Sequence, residues 1–363
     1  MNFLPTGLRF GADILRRSPW ALCRRRPLGY IGWVGHNNLG DEAIYSAIRR
    51  LFSAFNFDLF DPGGRDAILR RIGLSGPEFF RGILLGGGTL VNPAFMQQVQ
   101  DALAQKQRLY MFGTGVGSSG FGLAPAISLD GWREALTQFR FLSVRGPLSQ
   151  AALCRAGVPV PEVVGDPALG YAVRTLPERR DRPRLIVNLT LPGQAERHIL
   201  RPCINAVAAI AARFQRDGGE VIPVALGEGD KESLITLARE AALNNTDLID
   251  CRQNVNLFLE TVKGSDALIG MRLHSAVLAC CVGVAPLLFG YRDKCADFLQ
   301  SMNLSHHLIE FSDDAVDSLN RAWVRLRDAD ALGSRILERA HHWQAVQIAT
   351  SSRIAKELIS PRD

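Results

Sequence analysis

The chain has 363 residues, 47% of them apolar and 21% charged, which is the balance of a soluble globular protein large enough for two domains. No apolar run reaches the roughly 18–20 residues that cross a bilayer, and Arg9, Arg16, Arg17, Arg24, Arg25 and Arg26 interrupt any apolar core that a signal peptide would need. The net charge of +6 is concentrated at 16–26 and 174–184, without aromatics interleaved in the manner of RRM or cold-shock domains, so no nucleic-acid partner is expected.

Residues 1–27 form a basic N-terminal segment, read either as a solvated tail or as a peripheral contact with anionic lipid headgroups. A short strand at Tyr30–Trp33 runs into Gly35–Gly40 and a helix over about Asp41–Phe55. A buried strand at Ile83–Leu85 ends in Gly86, Gly87 and Gly88, and a helix covers Pro93–Gln107. The strand Arg108–Phe112 ends in Gly113, Gly115 and Gly117. A helix over about Gly131–Phe139 precedes the strand Phe141–Val144. The helix Leu148–Ala156 is closed by Gly157, and a strand at Val163–Val164 ends at Asp166 and Pro167. This first unit spans 28–173. Residues 174–184 (RTLPERRDRPR) are polar, contain Pro177 and Pro183, and read as a linker.

The alternation restarts over 185–311. Strands fall at Leu185–Leu189, Glu220–Val224, Leu248–Asp250, Ala267–Gly270 and Ala285–Phe289. Helices fall at Arg201–Gly218, Lys231–Leu243, Val255–Lys263, Leu273–Cys281 and Asp293–Met302. The tail, 312–363, reads as helical throughout. Brief apolar strands, each followed by small residues and a helix, mark parallel βαβ units whose ligands bind beyond the strand C-termini. The expectation is an α/β fold of two Rossmann-like domains facing a cleft, GT-B-like, with a C-terminal helical tail. Seven scattered cysteines without a CxxC suggest neither a zinc ribbon nor a redox dithiol, and they fit a reducing cytoplasm.

Five stretches at strand ends stand out: Gly35–Ile44 (GHNNLGDEAI), Gly86–Leu90 (GGGTL), Ser143–Ser149 (SVRGPLS) with Gly165–Leu169 (GDPAL), Met271–His274 (MRLH) and Tyr291–Lys294 (YRDK). In this order and spacing the sequence resembles the polysaccharide pyruvyl transferase family over about residues 30–305. The resemblance implies a GT-B-like enzyme that needs no cofactor. Phosphoenolpyruvate would be the donor, and a saccharide or lipid-linked oligosaccharide in polysaccharide or cell-surface glycan biosynthesis the acceptor. It implies a cytoplasmic enzyme, with a peripheral membrane contact through the basic N-terminus as an option. One departure is Gly146, where the family pattern has Asp after the arginine; Ser149 is kept.

The chemistry asks for cations to hold a carboxylate and a phosphate, and for groups that move protons. His274 opens a helix on the crevice side, so it is either the acid/base group or a hydrogen-bonded structural histidine. Arg145 ends a strand and either grips the donor through its fork or pairs with Asp166. Arg272, beside Leu273, either binds phosphate or fixes its loop through a carboxylate, and Lys294 is a second phosphate contact or an exposed lysine. Gly86, Gly87 and Gly88, with Asn92, offer backbone N–H groups to an anion or mark a close backbone crossing. Asn38, Asp41 and Glu42 open a helix and either complement its dipole or bind acceptor hydroxyls, and Ser149 is counted with the substrate-binding set. No metal site is expected.

Three rivals remain. The stretch 115–120 matches GxGxxG, but it lies beyond the first βα turn and lacks the acidic partner of a dinucleotide site. A nucleotide-sugar glycosyltransferase would use the same cleft. A non-catalytic glycan-assembly protein would explain Gly146.

Overall fold

The computed structural model describes residues 26–60, 79–117, 128–190, 197–243, 248–327 and 331–359. The basic cluster at 16–25 and the end of the GxGxxG stretch at 118–120 lie outside them.

Two parallel sheets form the frame. The first contains β1 (Leu28–Ile31), β2 (Phe57–Leu59), β3 (Gly82–Leu85), β4 (Gly88–Val91), β5 (Leu109–Val116), β6 (Phe141–Val144) and β7 (Glu162–Val163). Its order is β2-β1-β3-β5-β6-β7, with β4 paired to the C-terminal half of β5. The second contains β8 (Arg184–Asn188), β9 (Glu220–Ala225), β10 (Ile249–Asp250), β11 (Ala267–Gly270), β12 (Pro286–Phe289) and β13 (Leu308–Ile309), in the order β10-β9-β8-β11-β12-β13. Strands β1, β3, β11 and β12 are buried at every residue, as sheets covered on both faces require.

The direction of chain progression reverses between β1 and β3 and again between β8 and β11. Crevices open outside the strand C-termini at such switch points. The helices that follow β1 and β11 are α1 (Leu39–Leu51) and, after six intervening helices among the described residues, α8 (Leu273–Cys280). They meet across the crevice, and one apolar cluster continues from Leu39 and Ile44 through Ala276 and Leu278 into both sheets.

The strands and helices fall close to the expected positions, with four differences. Strand β5 runs through Val116, so Gly113 and Gly115 lie inside a strand and do not form a phosphate-binding turn. Gly88 opens β4, whose glycine start (φ +96°) had read as loop. Strands β2 and β13 are too short and polar-flanked to show a period of two. The tail is two helices, α10 (Ala315–Arg327) and α11 (Leu332–Ile359), rather than one continuous helical run. No helix among the described residues is long and apolar enough to cross a membrane.

Candidate active site

Three residues from three different strand ends converge in the crevice. Arg145 follows β6, Asp166 follows β7 and His274 sits in the first turn of α8. Arg145 Nη1 lies 3.7 Å and His274 Nε2 3.5 Å from the same Asp166 oxygen, Oδ2. Asp166 Oδ1 is taken by the Ala168 N–H at 2.9 Å, which leaves Oδ2 to face the guanidinium and the imidazole. Arg145 and Asp166 are wholly buried, whereas the His274 side chain keeps 13% of its exposure and so forms the open side of the cluster.

None of the guanidinium nitrogens of Arg145 makes a hydrogen bond, and neither Asp166 Oδ2 nor His274 Nε2 makes one. A buried charged group without hydrogen bonds is costly and needs an explanation. Burial works against ionisation of Asp166, but the neighbouring His274 and Arg145 and the Ala168 N–H outweigh it and hold the carboxyl below its ordinary range.

Glycines make the close approach possible. A β-carbon on Gly115 would stand 2.4 Å from Arg145 Nη2, and one on Gly40 would stand 2.0 Å from His274 Nδ1. The first turn of α1 therefore touches the imidazole. It also carries Asp41, whose carboxyl burial pushes up to about 6 against the opposing pull of His274 and Lys294. Asn38 caps α1 through Gly40 N–H and donates from Nδ2 to Asp41 Oδ2 at 2.5 Å.

The other expected site residues are placed as follows. Glu42 accepts the Gly35 N–H at 2.7 Å and shapes the loop before α1. Arg272 binds Asp230 at 2.7 Å and the Glu228 carbonyl at 2.7 Å, which is the carboxylate pair expected by one of its two readings. Asp230 is fully buried and also receives N–H groups from Leu226, Gly227 and Asn188. Leu273 is buried in the core, so only its backbone can face the crevice. The Lys294 ammonium lies 5.2 Å from the centre of the Tyr291 ring.

The glycine run is closely packed. The Gly86 N–H is bonded to the Ile31 carbonyl, and side chains at Gly86 and Gly87 would overlap Tyr30, Ile44 and Pro167. Close crossing demands glycine at 86 and 87, and positive φ favours it at 88. Asn92 caps the helix Pro93–Ala104 through Ala94 N–H and donates to the Thr89 carbonyl. The Ser149 hydroxyl accepts from Val116 N–H and donates to Asp297. Asp166 enters the sequence reading within the 165–169 stretch and as a partner for Arg145, but not as a site residue, and Asp297 escapes it. Asp297 lies mid-helix and gives no signal at all. No cluster of three or more His, Cys, Asp or Glu is placed to hold a metal among the described residues.

The polysaccharide pyruvyl transferase family model matches residues 38–293, more than half of the chain. The chain belongs to the polysaccharide pyruvyl transferase family. The matched span contains Asn38, Asp41, Arg145, Asp166 and His274, and ends just before Lys294. No curated protein sequence matches it. Among solved structures, Anabaena HepE in complex with UDP and glucose aligns at 14% identity and a TM-score of 0.51, over 92% of this chain and 99% of that one. A Listeria monocytogenes protein proposed to be a UDP-N-acetylglucosamine 2-epimerase aligns at 11% identity and a TM-score of 0.53, over 86% and 90%. The pneumococcal O-GlcNAc transferase GtfA, with UDP and GlcNAc, aligns at 12% identity and a TM-score of 0.52, over 82% and 60%. These likenesses establish the GT-B-like fold of this family member and nothing finer.

Proposed function

We propose that this polysaccharide pyruvyl transferase family member moves the pyruvyl group of phosphoenolpyruvate onto two hydroxyls of a saccharide, forming a cyclic ketal and releasing phosphate. The observation that carries the reading is the buried Arg145 guanidinium, free of hydrogen bonds, beside His274 at the mouth of the crevice. A planar fork of this kind suits the carboxylate or phosphate of the donor. Asp166 holds part of its charge in place before the donor arrives.

The reaction adds a proton to C3 of phosphoenolpyruvate, joins one saccharide oxygen to C2, breaks the C2–O bond to phosphate and closes the ketal with a second saccharide oxygen. Of the two hydroxyl protons lost, one replaces the proton placed on C3 and the other leaves with phosphate. Two groups able to carry protons serve this balance better than one. His274 is one, and Asp41, with its carboxyl pushed up to about 6, is the other.

Calorimetric titration with phosphoenolpyruvate, beside nucleotide sugars and NAD, tests the donor. Selective binding of phosphoenolpyruvate that is lost in Arg145→Ala supports the reading. Binding of a nucleotide sugar in its place would overturn it in favour of glycosyl transfer.

A further inference from the structure

We propose that Asp297, carried by the second domain, is the positioning residue for Arg145, so that the donor-anion site is built across both domains. The inference rests on the donor reading above and adds to it a residue outside the family-matched span.

Arg145 is followed at once by Gly146 and the helix Pro147–Arg155, whose first-turn N–H groups need an acceptor. Gly146 is the N-cap and offers no side chain, where Ser, Thr, Asp or Asn would ordinarily serve. The acceptor comes from the second domain. Asp297, on the helix Asp293–Ser301, receives the Leu148 N–H at 2.8 Å and the Ser149 N–H at 3.3 Å on Oδ1, and the Ser149 hydroxyl at 2.6 Å on Oδ2. The Ser149 oxygen in turn accepts the Val116 N–H at 3.2 Å, at the end of β5. Val116 adjoins Gly115, whose α-carbon lies against the Arg145 guanidinium. The chain of contacts therefore grips Arg145 from both sides, through its own following turn and through the strand its side chain packs against.

Sterics close the argument. A β-carbon on Gly146 would stand 2.2 Å from Asp297 Oδ1 and 2.8 Å from its backbone oxygen, so position 146 must be glycine for the second domain to dock. Asp297 is 2% exposed and Ser149 5%, so water cannot take over either role without separation of the domains.

The test uses the full chain and calorimetric titration with phosphoenolpyruvate, together with amide hydrogen exchange at Val116, Leu148 and Ser149. Asp297→Ala should weaken donor binding by about tenfold or more and speed exchange at these amides. Asp297→Asn keeps an acceptor for the two N–H groups and should recover most of the affinity. Wild-type affinity in Asp297→Ala with faster exchange at 148 and 149 would overturn the positioning role and leave only a structural cap. Should Asp297→Ala fail to fold, Gly146→Ala decides: it keeps every charge but wedges the two helices apart, and unchanged donor affinity there would likewise sink the proposal. Failure of the wild type to bind phosphoenolpyruvate would instead remove the donor reading itself.

Discussion

Gly115→Ala probes the site without touching a charged group. The added β-carbon would stand 2.4 Å from Arg145 Nη2 and 3.0 Å from Cζ, about 1 Å inside ordinary contact, and the Gly88 carbonyl at 3.2 Å blocks retreat on the other side. The guanidinium must therefore move by about the length that separates a hydrogen bond from none. Losing one charge-assisted contact to the donor costs about 1.5–3 kcal/mol, or roughly 10- to 150-fold in affinity. Calorimetric titration with phosphoenolpyruvate measures that loss, and circular dichroism on the same sample reports whether the fold is intact. A well-folded Gly115→Ala protein that binds the donor as tightly as the wild type would refute the assignment of Arg145 as the anion-gripping residue.

The other predictions follow from the same cluster. His274→Ala should abolish phosphate release with a saccharide acceptor while donor binding and fold persist; a variant that turns over near-normally, or one that merely unfolds, removes His274 from the mechanism. Asp166→Asn leaves the buried Arg145 without its counter-charge and should destabilise the chain by about 3–5 kcal/mol, read by urea denaturation. Because the Asp166 carboxyl is held below its ordinary range, its contribution is present above the unfolded value and lost as pH falls through the lower folded one, and the Asn variant should lose that acid sensitivity. Asp41 behaves oppositely. Its carboxyl rises from the ordinary 3.8 to about 6 on folding, so its contribution is full below about 4 and is lost as pH rises through 6. Asp41→Asn should therefore be stabilising relative to wild type at pH 7 and not at pH 4, and equal effects at both values would contradict the burial assigned to it.

Much of the frame was legible because strands such as Ile83–Leu85 and Ala267–Gly270 are apolar runs closed by glycine and followed by a helix. His274 and Arg145 were legible because each stands one to four residues past a strand end. The glycines were harder, since the sequence cannot distinguish a glycine that exposes N–H groups from one that admits a neighbour. At Gly86 the neighbour is the Tyr30 ring, at Gly115 it is Arg145, and at Gly146 it is Asp297 from the other half of the chain. Arg272 had two readings of equal weight because its partner Asp230 lies 42 residues away, on a different strand–helix connection. Pairings of that range are set by topology, which local pattern does not encode.

Helix α11 is the last of the described elements in the chain, yet it returns to the first sheet. Its Gln347 amide donates to the carbonyls of Val164 and Asp166, its Trp343 ring fills the space a side chain at Gly165 would occupy, and Arg81 and Arg108 bind the carbonyls at its end. The backbone that presents Asp166 is therefore braced by a residue 181 positions further along the chain. The loop bearing Asp166 has its full set of contacts only with the final helix in place. A chain cut before residue 332 would therefore keep the strands of the first sheet but lack the contacts that brace the backbone at Val164 and Asp166.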